Sequence, residues 1–167
     1  MTRRQWLGLL SSIGLSGVTG RAASAPPADT KTPRPRIEPL VLSDAQWRQR
    51  LTPAQYNVLR EEGTERPGSS PLNSEKRKGN FQCAGCDLPL FSSSTKYESG
   101  TGWPSFFDTL PGAVQTKRDF HLVLPRTEYH CARCGGHQGH VFNDGPKPTG
   151  LRYCNNGVAL KFVPEAA

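Results

Sequence analysis

Thr127-Glu128-Tyr129-His130-Cys131-Ala132-Arg133-Cys134-Gly135-Gly136 decides how this chain folds. Its first half reads as a strand, and its second half is a Cys-x-x-Cys turn followed by two glycines. The same spacing stands earlier, in Cys83-Ala84-Gly85-Cys86. A Cys-x-x-Cys turn lets two sulfurs converge on one ion while the next backbone amides donate to the thiolates. Gly85 in the first turn and Gly135-Gly136 after the second supply backbone freedom. Together Cys83, Cys86, Cys131 and Cys134 complete a tetrahedral set of four sulfurs that suits one structural Zn2+. The long gap between the pairs pins a whole β segment at its two ends, and such a site contributes folding energy. Two disulfides, or a redox-active Cys-x-x-Cys, are the alternatives; two matched turns favour the metal.

Outward from these turns the chain reads as short strands. Phe120–Leu124 and Thr127–Cys131 form one predicted pair, joined by a Pro125-Arg126 turn. Leu151–Cys154 and Val158–Val163 form another, joined through Asn155-Asn156-Gly157, where Asn-Gly is a hairpin signal. Upstream, Ser43-Asp44 reads as a helix cap with Trp47 and Leu51 on the apolar face. Thr52 caps a second short helix that starts at Pro53, faces Tyr56 and Leu59 inward and is stopped by Gly63. Residues 65–80 read as a loop. The expected fold is mainly β: two antiparallel β-sheets, short N-terminal helices and a structural zinc site of four cysteines.

Composition agrees. Hydrophobic residues are 35% of 167, and the chain holds 17 glycines and 15 prolines. That is too little apolar content and too many turns for a helical bundle, and small loop-rich domains often need a metal or a cross-link. No repeat or coiled-coil heptad is present. The net charge is +7, but no basic run is interleaved with aromatics, so a mildly basic solvated surface is expected and no nucleic-acid partner.

The N-terminus reads as an address. Arg3 and Arg4 precede Trp6-Leu7, an apolar Gly/Ser-rich stretch runs from Leu7 to Val18, and Ala23-Ser24-Ala25 supplies a small-x-small cleavage site. This is the layout of a secretory signal over residues 1–25, and its paired arginines resemble the twin-arginine class. The apolar stretch is too short for a comfortable membrane span, and no cysteine near the cleavage site could carry a lipid, so no stable membrane anchor is expected. Residues 26–42 hold five prolines and read as an extended, solvated linker. Residues 43–167 form the domain. The expected location is the bacterial periplasm.

The fifth cysteine, Cys154, has no pair. An odd thiol in an exported protein is a buried bystander, an intermolecular partner or a reactive group. Arg152, two residues earlier, shares its face on a strand and would favour the thiolate. His137 and His140 lie in a Gly-broken segment that could turn both imidazoles toward one pocket, and Cys with His is the minimal set for thiol catalysis. Taken singly, each of these has a plainer reading: buried cysteine, hydrogen-bonded histidine, ordinary core at Trp103-Pro104, a simple turn at Asp144-Gly145-Pro146.

Taken together, the strings resemble the B-type methionine sulfoxide reductases, which act on the R epimer. They are Gly63-Thr64-Glu65-Arg66-Pro67, Ser99-Gly100-Thr101-Gly102-Trp103-Pro104-Ser105 with the run from Phe91 before it, Arg126-Thr127-Glu128, Cys131-x-x-Cys134-Gly135, Gly139-His140-Val141-Phe142-x-Asp144-Gly145-Pro146 and Leu151-Arg152-Tyr153-Cys154-x-Asn156. The resemblance runs from about Ser43 to Val163. It implies zinc on the side away from the active site, and Cys154 as the nucleophile that attacks the sulfoxide sulfur. It implies Trp103 and Phe142 as the pocket for the substrate methyl group. His137, His140, Asp144 and Asn156 would surround the sulfoxide oxygen, and Arg152 would support the thiolate. Chemically the set makes sense: the oxygen leaves only when protonated, and histidine is the acid poised near neutral pH.

Many family members carry a second, resolving cysteine where this chain has Thr101. With four cysteines committed to zinc, no intramolecular disulfide route is evident. The expected reductant of the Cys154 sulfenic acid is therefore an external thiol: a thioredoxin-like protein, a glutaredoxin-like protein or a small thiol. The expected substrate is methionine-R-sulfoxide in oxidised proteins, handled by a monomer. The rival functions are a zinc-ribbon interaction module without catalysis and a disulfide-exchange protein using Cys83 and Cys86.

Overall fold

The fold starts from two helices set by their caps. In the computed structural model, which describes residues 37–120 and 125–166, α1 spans Asp44–Arg50 and α2 spans Pro53–Glu61. The signal at 1–25, the linker's first part at 26–36 and residues 121–124 lie outside the described residues. Ser43 with Gln46, and Thr52 with Gln55, form reciprocal capping boxes. Each satisfies amides that a helix start leaves orphaned, at about 1 kcal/mol per cap. Trp47, Tyr56 and Leu59 are buried as expected. The residue that ends α2 is Glu62, left-handed at φ 57°, rather than Gly63. Gly63 lies against the Asn57 side chain instead: a Cβ there would be 2.0 Å from Asn57 Oδ1, so that side chain would have to turn aside. Ahead of α1, Leu40 N–H donates to the Arg133 carbonyl. Ile37, Leu40 and Leu42 pack on the core, so the end of the linker is docked rather than solvated.

Nine strands follow among the described residues, with 3-10 turns at Pro71–Ser74, Ser93–Thr95 and Gly157–Ala159: β1 Gly79–Cys83, β2 Pro89–Ser92, β3 Lys96–Tyr97, β4 Ser105–Phe106, β5 Val114–Asp119, β6 Arg126–Cys131, β7 His137–Phe142, β8 Arg152–Asn155 and β9 Leu160–Pro164. They form two antiparallel sheets, ordered β2-β1-β9 and β3-β4-β8-β7-β6-β5. The core is aromatic. Phe91 stacks on Phe106 at 4.1 Å; Phe81 meets Phe106 edge-on at 4.9 Å and Tyr129 meets Tyr153 edge-on at 5.3 Å, and the ring quadrupoles favour the edge-on pairs. Among the described residues no helix is long and apolar enough to cross a membrane.

Two strand expectations need correction. β6 pairs with β5 on one side, in register from Val114↔Cys131 to Asp119↔Arg126, and with β7 on the other; residues 121–124 of the expected strand lie outside the described residues. Phe120 lies beyond the strand and is exposed, and Arg126 opens β6 rather than turning into it. β5 is an edge strand reading Val-Gln-Thr-Lys-Arg-Asp, so it lacks the apolar alternation that marks a half-buried strand. Likewise, β8 and β9 do not pair: β8 lies between β4 and β7, while β9 joins β1. A two-residue Asn-Gly hairpin needs left-handed backbone, but Asn156 is extended at φ −67°, ψ 118°. Buried hydrogen bonds hold it so. Tyr129 O–H donates to Asn155 Oδ1 at 2.7 Å, and Asn156 Nδ2 donates to the Gln138 carbonyl at 3.0 Å. The chain therefore crosses from one sheet to the other.

Candidate active site

Strand register assembles the site. Directly opposed residues form one row across all six strands of the larger sheet: Lys117, Glu128, His140, Cys154, Ser105 and Tyr97. Opposed residues share a face. Two positions along, Asp119 opposes Arg126 and Phe142 opposes Arg152, and the two-residue period puts them on that same face. His137 reaches it by a bulge. Tyr129 pairs with Gly139 but His130 pairs with His137, leaving Gln138 as the extra residue. In a regular strand, residues three apart face opposite ways; the bulge lets the His137 and His140 rings meet at 5.5 Å. The two histidines thus sit on a bulged strand, not in a loop.

A cavity of about 130 Å³ opens on this face, small beside the ≈ 300–1,000 Å³ of drug-sized pockets and so sized for one side chain. Cys154, His140, Trp103, Phe142 and Asn156 line it, together with Thr64, Arg126, Gly139 and Asn155. Gly139 is required by closeness: a Cβ there would lie 1.9 Å from the Cys154 carbonyl oxygen. Trp103 Nε1 donates to the Glu65 carbonyl at 3.2 Å, and the Glu65 amide donates to Asn156 Oδ1 at 3.0 Å. The Glu65 carboxylate accepts from the Gly157 and Val158 amides at 2.5 and 3.0 Å. One residue thereby fixes two walls of the pocket.

The remaining sequence-predicted residues lie outside the lining. His137 is buried, its Nδ1 2.9 Å from Glu128 Oε1, and its Nε2 has no hydrogen-bond partner among the described residues. Asp144 is exposed and accepts two bonds of 2.8 Å from Arg152, which hold its carboxyl below the usual range. Arg152 also lies 4.3 Å over the Phe142 ring, so it braces that wall of the pocket by a cation–π contact.

The spacing of Arg152 and Cys154 predicts a lowered thiol, and the structure corrects this. Arg152 does pull that way, as does the Thr101 hydroxyl 4.0 Å from Sγ, but burial is the larger influence and the thiol sits above its ordinary value. The guanidinium is spent mainly on Asp144. Burial likewise pushes the His140 imidazole below its usual value, opposed by Asp119. Two contacts on Asp119 have no counterpart in the sequence reading: His140 Nε2 lies 2.7 Å from its Oδ2, and Arg126 Nη2 lies 2.7 Å from the same oxygen. Arg126 and Glu128 are readable from their alternation along a strand. Asp119 is not, because its strand carries no apolar alternation.

The four remaining cysteines cluster away from this row. Cys83, Cys86, Cys131 and Cys134 are buried, and their sulfurs all lie within 4.8 Å of one another, with Cys83–Cys134 at 3.6 Å and Cys86–Cys131 at 3.4 Å. Those separations fit one tetrahedral ion held at about 2.3 Å per Zn–S bond or a similar length, and the donor set can hold a metal ion. In the first turn the left-handed residue is Asp87, φ 62°, not Gly85; in the second it is Gly135, φ 67°. Arg50, Arg60 and Arg133 donate to the carbonyls of Gly85, Cys134 and Cys86, holding the turns closed from outside.

Comparison with known proteins agrees with this geometry. The SelR domain family matches residues 51–164. Three relatives bear the name peptide methionine sulfoxide reductase MsrB. That of Agrobacterium fabrum is 57% identical over 73% of this chain and 91% of its own. That of Leptospira interrogans is 52% identical over 74% and 95%, and that of Methanosarcina barkeri 54% identical over 74% and 87%. The solved Mis18 "Yippee-like" domain aligns over 55% of this chain and 100% of its own at TM-score 0.42 and 20% identity, too distant to bear on the site. A match of this extent, over a sheet that gathers an odd cysteine, a histidine and an indole into one pocket, places the chain in the methionine-R-sulfoxide reductase B family, as a thiol-dependent peptide methionine sulfoxide reductase.

Proposed function

We propose that the chain reduces methionine-R-sulfoxide in exported proteins through a Cys154 sulfenic acid that an external thiol then reduces. The observation that carries this is the single pocket in which Cys154, His140, Trp103, Phe142 and Asn156 meet. The S-methyl group lies against the Trp103 indole and Phe142, which suit a polarisable sulfur and its methyl. Asn156, fixed by Glu65 and Gln138, bounds the oxygen side. Methyl wall, oxygen side and thiolate are three distinct contacts, the number needed to tell one epimer from the other.

The chemistry balances without another co-reactant in the first step. The Cys154 thiolate attacks the sulfoxide sulfur, the oxygen takes a proton and passes to Sγ, and methionine leaves with Cys154 as the sulfenic acid. His140 is the proton carrier of this reading, because it lines the pocket directly opposite Cys154. His137 lies one ring behind it, and Arg152 and Asp144 brace Phe142 and restrain the thiol. Thr101 has no sulfur to offer, so two equivalents of external thiol, thioredoxin-like or small, return Cys154 to the thiol and release water and a disulfide.

The four-cysteine cluster would hold one Zn2+, supplying folding energy rather than chemistry. The twin-arginine-like N-terminus supports export to the bacterial periplasm after folding, where such repair meets oxidised proteins; the enzyme works there as a monomer, without a stable membrane anchor or a nucleic-acid partner. The test is reduction of blocked methionine sulfoxide, R and S epimers separately, with dithiothreitol in excess, by the mature protein and by Cys154→Ser. Turnover of the R epimer alone, lost in the serine variant, is expected. Turnover of the S epimer, or activity in Cys154→Ser, overturns the reading.

A further inference from the structure

Asp119 stands at the far edge of the functional face, yet its buried carboxylate meets His140. Its side chain is 3% exposed. Oδ2 receives Arg126 Nη2 and His140 Nε2, each at 2.7 Å. A buried carboxylate touching a guanidinium is ionised and therefore accepts both bonds. The hydrogen of neutral His140 must then sit on Nε2, which leaves Nδ1 as the unprotonated ring nitrogen.

We propose that Asp119, held by Arg126, is a positioning residue for sulfoxide reduction: it fixes His140 in the tautomer whose Nδ1 can take the Cys154 proton, and it holds the imidazolium until that proton reaches the sulfoxide oxygen. This rests on the reading of His140 as proton carrier. The step balances. The S–H bond breaks and an Nδ1–H bond forms. The thiolate pair then forms the bond to the substrate sulfur, Nδ1–H passes its proton to the oxygen, and sulfenic acid and methionine result with no net proton taken or lost. Burial, which pushes the Cys154 thiol up and the His140 imidazole down, favours the neutral pair from which this step starts.

The other charged groups around His140 are largely matched to one another. Lys117 on β5 pairs with Glu128 on β6, and Glu128 also holds His137 on β7. Arg152 on β8 pairs with Asp144. Asp119 is thus the carboxylate, among the described residues, that contacts the His140 ring itself.

The test uses the full chain and single-turnover release of methionine from a blocked methionine-R-sulfoxide. Asp119→Asn keeps the shape but cannot hold an imidazolium. It is expected to slow that step about 10²-fold, as loss of a general acid–base partner does, with substrate affinity little changed. Because the Asp119 carboxylate raises the His140 value, its loss must move the His140 limb of the pH–rate profile to lower pH. Asp119→Glu should restore part of the rate and the limb. An unchanged limb, or equal loss of affinity and rate, makes Asp119 merely structural and overturns the proposal. His140→Asn separates the two readings: if it leaves the rate intact, the proton-carrier reading has failed; if it slows the rate while Asp119→Asn does not, only the Asp119 role has failed. Should Asp119→Asn misfold, nitrogen NMR of His140 in the unaltered protein decides, since a neutral ring protonated at Nδ1 contradicts the proposal.

Discussion

Thr101 Oγ1 lies 4.0 Å from Cys154 Sγ, so the position at which the family resemblance implies a resolving cysteine in many members lies beside the proposed nucleophile here, as a hydroxyl. The hydroxyl is held by Ser99 Oγ at 2.8 Å, which in turn is 2.7 Å from Ser105 Oγ. Thr101→Cys should therefore install a working disulfide route with little backbone movement. After one turnover without reductant, this variant is expected to lose two titratable thiols and resist dimedone. The unaltered protein is expected to carry one dimedone adduct at Cys154. Dimedone-resistant, disulfide-linked Cys154 in the unaltered protein would refute an external-thiol route.

The pH dependence of Cys154 alkylation follows from its surroundings. Burial is the largest influence on the thiol and raises it, while Thr101 and Arg152 pull it down. Alkylation by iodoacetamide should thus rise with pH through a midpoint above the free-thiol value of ≈ 8.5. Thr101→Val removes a donor to the thiolate and should move the midpoint further up by about one pH unit or less, given the net worth of one hydrogen bond. A midpoint below that of a free thiol would contradict the burial argument.

His140 carries a stability consequence of opposite sense. Its folded value is lowered, burial being the main cause, so the native state binds this proton less readily than the unfolded chain. The stability it contributes is present above the unfolded value of ≈ 6.5 and is lost as pH falls toward the folded one. Urea unfolding followed from about pH 7.5 to about pH 5.5, a window around that unfolded value, should show the loss, and His140→Asn should flatten it. An equally steep fall in His140→Asn would assign the effect elsewhere.

Chelation tests the four-cysteine cluster. Structural zinc in small domains is worth about 10–16 kcal/mol at neutral pH, as much as a domain's whole stability of about 5–15 kcal/mol. Cys131→Ser, or prolonged strong chelation, should abolish the cooperative thermal transition, with about one zinc per chain in the starting protein. A metal-free protein with an unchanged melting temperature would remove the metal from the account.

Glu65 ties the crossover to the pocket. Its carboxylate accepts two amides of the crossover while its own amide and carbonyl hold Asn156 and Trp103. Glu65→Ala should cost about 3–6 kcal/mol, the range for two hydrogen bonds to a charged group. It should also raise KM more than it lowers kcat, because pocket walls loosen while Cys154 and His140 stay opposed. Urea denaturation and steady-state kinetics measure the two.

The legible parts of this molecule are those written locally. Ser43 and Thr52 announce their helices by capping, and the two Cys-x-x-Cys turns announce their cluster by spacing. Arg126/Glu128, His140/Phe142 and Arg152/Cys154 alternate, so each pair declares one face of one strand. What is not legible depends on which strands are neighbours. Asp119 sits two strands from His140, on an edge strand too polar to be recognised. The Asn156-Gly157 pair carries a hairpin signal that Tyr129 and Gln138, distant in sequence, override by burying both asparagines. His137 faces His140 only because Gln138 bulges, and no local pattern encodes a bulge.

That bulge has a consequence of its own. Gln138 donates from Nε2 to Cys83 Sγ at 3.4 Å, while its backbone carbonyl receives the Asn156 amide at 2.8 Å and the Asn156 side chain at 3.0 Å. One residue thus has its head in the sulfur cluster and its backbone in the wall of the reaction pocket. Damage at Cys83 is therefore expected to be felt at Asn156, through the side chain and backbone of this one residue. In a methionine sulfoxide reductase, the cluster that closes the fold and the pocket thus share a single residue.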